Sequence, residues 1–165
     1  MSHEKFMRYA IEESRLSITE DELPVGAVMV WNNEIISISH KTSKDNPRLD
    51  HSEIKVLRHC MDILSHKWAD EMTIYTTLEP CIMCFGTLLN CRIGTIVYSV
   101  EDSFGGISYL PHELLPQRHR GEHPKIIKGI LREEARSVFR EFFLGTKQKF
   151  WKDRNNPLVK LCLAE

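Results

Sequence analysis

Two short segments carry the residues best suited to chemistry: His51-Ser52-Glu53 and, further along, Pro80-Cys81-Ile82-Met83-Cys84. One imidazole and two thiolates form a donor set suited to Zn²⁺, and three protein ligands leave the fourth tetrahedral position open for a water. Cys81 and Cys84, at i and i+3, share one side of a helical turn if a helix follows Pro80, so both can grip one ion. The partial positive charge at such a helix N-terminus favours the thiolates that a metal requires. His51, at the start of a second helix, would complete the set. Glu53 lies two residues from His51, and positions i and i+2 of a helix do not face the same way, so its expected place is beside the open position. A carboxylate there can take a proton from an activated water, whose pKa the metal brings down to roughly 7, and pass it to a leaving amine. The set suits hydrolytic deamination. A lone C-x-x-C would fit a structural zinc knuckle or a redox pair equally well, with His59 or Cys60 as a fourth ligand. The pairing of H-x-E with P-C-x-x-C, each at an expected helix start, is far more specific, and Cys60, Cys91 and Cys162 offer no second paired spacing.

The surrounding pattern describes what must position these groups. Phe6, Ala10, Ile11 and Ser14 at helical spacing predict a first helix over about residues 2–16, capped by Ser2. Val25 to Trp31 is a short apolar run typical of a buried strand, Asn32-Asn33 a turn, and Ile35, Ile36 and Ile38 mark a second strand, giving a hairpin. A polar loop over 41–50 leads to a helix predicted over 51–66 by Ile54, Val56, Leu57, Met61 and Leu64. A strand over 72–78 then precedes a helix over 81–89, a strand over 93–100, a short apolar pair at Ile126-Ile127, and a helix over 131–143 with Ala135, Val138, Phe139 and Phe142 on one face. Such alternation predicts an α/β fold, a three-layer α/β/α sandwich, with residues 1–165 forming one domain.

Composition excludes several classes. With 165 residues, 42% hydrophobic and 27% charged, the chain is neither disordered nor fibrous, and no apolar run approaches the length of a membrane span. Residues 1–9 lack the apolar segment of a secretory signal, and five cysteines are an odd number, so reduced thiols or metal ligands in the cytoplasm are expected rather than a disulfide framework. The net charge of −1 conceals a split: residues 1–117 hold 10 Lys and Arg against 17 Asp and Glu, and the remainder 12 against 6. A basic end can serve an anionic partner or be a solvated helix face. His112, His119 and His123 lack tight spacing and are read as solvated, and Cys60, Cys91 and Cys162 as small core residues.

The two motifs resemble those of the zinc-dependent cytidine and adenosine deaminase superfamily. Within it the likeness is greatest to the branch of tRNA-specific adenosine deaminases and guanine and cytosine deaminases. Leu23-Pro24-Val25-Gly26-Ala27-Val28, Thr77-Leu78-Glu79-Pro80-Cys81, Arg92-Ile93-Gly94 and Gly129-Ile130-Leu131 extend it along the chain. The resemblance implies a five-stranded mixed sheet between helices, a homodimer, Zn²⁺ on His51, Cys81 and Cys84, and Glu53 as the proton shuttle. The pocket wall would come from Val25 and its neighbours, with His40 near the base edge. His40 stands where this branch usually has an Asn, Ser52 where Ala is more usual, and Ser103-Phe104-Gly105-Gly106 where tRNA-acting members tend to have a lysine-containing turn. These departures place deamination of a free nucleobase or nucleoside first among the expectations. Adenosine-to-inosine editing of a tRNA anticodon loop comes second, supported by the overall likeness and by Lys147, Lys149, Phe150, Trp151, Lys152 and Arg154, which interleave cations with aromatics. In that stretch the aromatics are expected to pack on the sheet. A catalytically silent zinc-binding relative comes third; retention of Glu53 counts against it.

Overall fold

A computed structural model of the protein describes residues 3–42, 44, 46, 48–64, 69–108, 110–121 and 123–164. The expected cap Ser2 and residues 65 and 66 of the expected second helix lie outside these. Helix α1 (His3–Thr19) leads into the hairpin of β1 (Gly26–Trp31) and β2 (Glu34–His40), followed by α2 (Ser52–His59), a single turn α3 (Met61–Leu64), β3 (Thr73–Leu78), α4 (Ile82–Asn90), β4 (Thr95–Val100), β5 (Lys125–Lys128), α5 (Arg132–Gly145) and α6 (Pro157–Leu163). The five strands lie in the order β2-β1-β3-β4-β5. β1 is antiparallel to β2 and β3, while β3, β4 and β5 run parallel, so the sheet is mixed, as the resemblance implies. Asn32 and Asn33 take positive φ of 50° and 64°, the conformation that a tight two-residue hairpin requires and that Asn tolerates.

Alternation along the strands builds the three layers. Val28, Val30, Tyr75 and Val97 point to one face and pack with Phe6, Met7 and Ala10 of α1 and Val138, Phe139 and Phe142 of α5. Ala27, Met29, Ile74 and Ile96 point to the other and meet Val56 and Leu57 of α2 and Phe85, Leu88 and Leu89 of α4. The second helix is shorter than its apolar pattern implies: it closes at Cys60, buried in the α2/α4 face, and α3 begins immediately afterwards. At the C-terminus an element not foreseen, α6, starts with Asn156 accepting hydrogen bonds from the amides of Leu158 and Val159 and with Pro157 in its first turn. Arg136 and Arg140 of α5 donate to the carbonyls of Leu161, Leu163 and Ala164 at its other end.

Two contacts fix β1. Thr77 Oγ1 accepts from the Gly26 amide and donates to the Pro24 carbonyl, both at 3.1 Å. At Gly26 itself the α1 backbone comes so close that a Cβ would lie 2.1 Å from the Ala10 carbonyl oxygen and 2.8 Å from the Ser14 nitrogen. Because the obstruction is backbone, Gly26→Ala must push α1 off the sheet. We expect it to cost about 2–3 kcal/mol, by the overpacking penalty, in urea denaturation monitored by circular dichroism.

Candidate metal centre and active site

Residues from two helix starts meet at one end of the sheet. His51 is the N-cap of α2 and Cys81 the N-cap of α4, both with extended backbone and neither with a side-chain capping bond. Their side chains converge on each other instead. The His51 Nδ1 lies 3.6 Å from Cys81 Sγ and 3.5 Å from Cys84 Sγ, and the donor atoms of all three fall within 4.8 Å of one another. Cys84, one turn into α4, is fully buried. His59, weighed above as a fourth ligand, has its Nδ1 3.4 Å from Ser37 Oγ, and Cys60 sits in the core. Among the described residues the cluster therefore holds one imidazole and two sulfurs, and this donor set fits a tetrahedral Zn²⁺ with one position open.

The charges at the cluster follow from these contacts. Hydrogen bonds from the Cys84 thiol and from His51 hold the Cys81 thiol down at about 4. Cys84 is pushed up because its proton is shared with Cys81 and because it is buried. The hydrogen bond to Cys81 raises His51. A cation held by all three would displace the protons they share. Glu53 is 3% exposed, and burial raises its carboxyl above the ordinary carboxylate range. The Ser52 hydroxyl donates to Glu53 Oε2 at 3.0 Å.

A cavity of about 180 Å³ opens on this cluster. His51, Glu53 and Cys81 form its polar end, and Leu23, Val25 and Leu78 its apolar wall. Val25 belongs to this apolar wall. His40 does not line this cavity. Its Nδ1 is 2.6 Å from Glu13 Oε1 of α1, and its carbonyl accepts from Lys55 Nζ at 3.0 Å. The loop after β2 is tied down in the same way, with Asp50 accepting from the Asn46 amide and pairing with Arg58. These bonds set the position from which His51 enters the site.

Four further residues of the cavity wall, Lys41, Glu79, Asp102 and Trp151, were not assigned a pocket role from sequence. Glu79 adjoins the P-C-x-x-C motif, and Asp102 follows a parallel strand at its carboxyl end, where ligands of α/β sheets collect; those were the available signals. Trp151 packs on Phe142 and Phe143 of α5 rather than on the sheet, and its other side borders the cavity, while Phe150, expected to pack as well, is exposed. Glu79 is buried and accepts from the Asp102 amide at 2.9 Å, the Ser108 amide at 3.0 Å and the Ser108 hydroxyl at 2.6 Å. Gly106 lies so close that a Cβ there would be 2.5 Å from the Glu79 carboxyl carbon. The Ile107 amide donates to the Pro80 carbonyl, and Cys81 bridges to Gly106, so loop 102–108 is fastened to the segment that carries Cys81.

With this geometry in view, the chain was compared with known proteins. The pattern of MafB19-like deaminases matches residues 1–135. The chain belongs to the MafB19-like deaminase family. It is 31% identical over 154 residues to the tRNA-specific adenosine deaminase of Bacillus subtilis (strain 168), covering 93% of this chain and 96% of that one. It is 33% identical over 140 residues to that of Rickettsia typhi (strain ATCC VR-144 / Wilmington), covering 83% and 95%. Among solved structures, one from a study of A-to-I editing by tRNA:A34 deaminases superposes with a TM-score of 0.72 at 29% identity, over 81% of this chain and 98% of the other. A guanine deaminase from Nitrosomonas europaea shares the fold, with a TM-score of 0.66 at 20% identity over 86% and 84%. This MafB19-like deaminase is an enzyme of hydrolytic deamination with the cytidine deaminase-like α/β fold.

The Glu79 bonds make a direct prediction about the site's frame. Glu79→Ala leaves the Asp102 and Ser108 amides without their acceptor, which we expect to cost about 2 kcal/mol. Hydrogen exchange should accelerate over residues 102–108 and not over α1, whose amides serve as the internal reference.

Proposed function

We propose that this deaminase is zinc-dependent and converts adenosine to inosine within a tRNA anticodon loop. The observation that carries the reading is the match to tRNA-specific adenosine deaminases along nearly the whole length of both chains. It reverses the order expected from His40 and the 102–108 loop, which had put a free base or nucleoside first. His40 is engaged by Glu13, so its substitution for Asn at that position need not carry the choice of substrate. The reading implies a cytoplasmic enzyme, working as a homodimer.

His51, Cys81 and Cys84 would hold the Zn²⁺, which when bound supplies a Lewis acid that makes water nucleophilic near neutral pH. The remaining work falls to the chain's own groups. Glu53 takes the proton of the attacking water on its carboxylate and returns it to the departing amino group, so that an oxygen replaces nitrogen on the ring and ammonia leaves. Burial of Glu53 keeps bulk water from exchanging with the proton it carries between the two halves of this exchange. Ser52 fixes one carboxylate oxygen. Leu23, Val25 and Leu78 face the flat ring with apolar surface and exclude water from the reacting end. A cavity of about 180 Å³ admits a single base, leaving sugar and phosphates outside, and an unpaired loop presents such a base without the cost of opening a duplex.

The test is inosine and ammonia release by the zinc-loaded protein from an anticodon stem-loop carrying adenosine, beside free bases and nucleosides. Turnover of the stem-loop is expected. Glu53→Gln should lower kcat by roughly 10²–10⁴-fold while zinc content stays at one per chain; near-wild-type turnover would remove Glu53 from the proton path. Cys84→Ala should lose most of its zinc, measured by atomic emission after dialysis. Turnover confined to a free base or nucleoside would replace the tRNA reading with that of a small-molecule deaminase.

A further inference from the structure

A purine ring presents hydrogen-bond acceptors, and the cavity wall is short of donors to meet them. Leu23, Val25 and Leu78 offer none, and Glu53, Glu79 and Asp102 are acids, which accept when ionised. The Ser52 hydroxyl is turned to Glu53, and His51 and Cys81 belong to the metal cluster. Among the described residues of the wall, the side-chain donors that remain are the Trp151 indole and the ammonium of Lys41. Lys41 is also the only Lys or Arg there.

Lys41 directly follows β2, and the fold fixes its backbone beside the cavity. Its amide donates at 2.9 Å to the carbonyl of Val25, itself a wall residue, and its carbonyl accepts from the hydroxyl of buried Ser17 at 2.7 Å. Surface lysines ordinarily leave the head group in water. Lys44, three residues on, does so, with 81% of its side chain exposed. For Lys41 the figure is 19%, and Glu22, 15% exposed, pairs with it at 3.4 Å. Coulomb attraction in so poorly solvated a pair is offset by the cost of desolvating both charges, so stability alone is a weak reason for it. An ammonium has three N–H donors, and a single carboxylate leaves others for a ligand. His40, from which contact with the base was expected, turns instead to Glu13, and the next residue in the chain takes the place at the wall.

We propose that Lys41 reads the ring of the substrate: its ammonium, steadied by Glu22, donates to N3 or N7 of adenine, the ring acceptors outside the reacting C6–N1 bond. This rests on the adenosine part of the reading above and deepens it, whatever strand presents the base. A bond from a charged donor is stronger than one from a neutral indole, which favours Lys41 over Trp151 for the task. A flat ring gripped by apolar surface can enter in more than one orientation. One donor to one ring nitrogen selects the orientation that brings the amino group to Glu53, so Lys41 determines specificity by fixing how the base lies.

The experiment presents adenosine, 3-deazaadenosine or 7-deazaadenosine at the reactive position of an anticodon stem-loop and follows ammonia release by wild type, Lys41→Met, Glu22→Gln and Trp151→Phe. Melting temperature and zinc content verify that each variant is folded and loaded. Wild type is expected to lose roughly 10–100-fold in kcat/KM on one of the two analogues. Lys41→Met should lose a similar factor on adenosine and nothing further on that analogue, whereas Glu22→Gln and Trp151→Phe should keep the discrimination. Equal kcat/KM of wild type on all three substrates, a comparison that needs no variant, would overturn the contact and leave the tRNA reading standing. A penalty that persists in Lys41→Met, or that disappears only in Trp151→Phe, would do the same. Turnover of the free nucleosides alone would remove the tRNA reading, and the same comparison on nucleosides would then decide the role of Lys41. Turnover of adenosine in neither form would overturn both.

Discussion

Everything at the active end depends on two helices packing on the same face of the sheet at the right height. Val56 and Leu57 of α2 and Phe85 and Leu88 of α4 are seated on the ridge formed by Ala27, Met29, Ile74 and Ile96. Because a helix is stiff and its first residue is fixed relative to its apolar stripe, this seating determines where His51 and Cys81 come to rest. A shift of one helix by a single turn, about 5.4 Å, would separate donor atoms that now lie within 4.8 Å of one another. The geometry of the His51, Cys81 and Cys84 cluster is thus a property of the hydrophobic layer.

Electrostatics adds a second requirement, that the carboxylates around the cavity keep separate tasks. Glu53 is buried beside the cluster, accepts from the Ser52 hydroxyl and from its own amide, and is raised by burial. Glu79, on the same cavity, is saturated by two amides and a hydroxyl, which commits it to holding the loop that brings Asp102 to the cavity. Burial raises Asp102 as well, with the Phe104 amide acting against it. Three acids of the same wall therefore differ in environment through the donors around them.

The sequence made the layers and the metal cluster readable because each is encoded locally. The i, i+3 spacing of Cys81 and Cys84, the apolar alternation in β1 and the Asn32-Asn33 turn all depend on near neighbours in the chain. What escaped reading depends on distant partners. Glu13 takes the His40 ring from a helix at the start of the chain, so the position alone could not reveal where that ring points. Glu79 belongs to loop 102–108 only once the parallel pairing of β3 and β4 is formed. The stretch around Phe150 divides its aromatics, one packed and one exposed, according to what α5 and the 102–108 loop offer each, and periodicity is blind to that division. The closing helix α6 was missed because it is short, and half of what fixes it is a pair of arginines reaching across from α5.

The N-caps of α2 and α4 carry one more consequence. Ser, Thr, Asp or Asn at such a position closes the first helical turn with its own side chain, a contribution of about 1 kcal/mol at each. His51 and Cys81 occupy these positions and direct their side chains elsewhere. The helix starts forgo that local contribution, and α2 and α4 are held instead by their packing on the sheet. A more robust variant of this enzyme is therefore to be sought in α1, α5 and α6 away from Leu23, Val25, Leu78 and Trp151, the residues of that layer that also line the cavity.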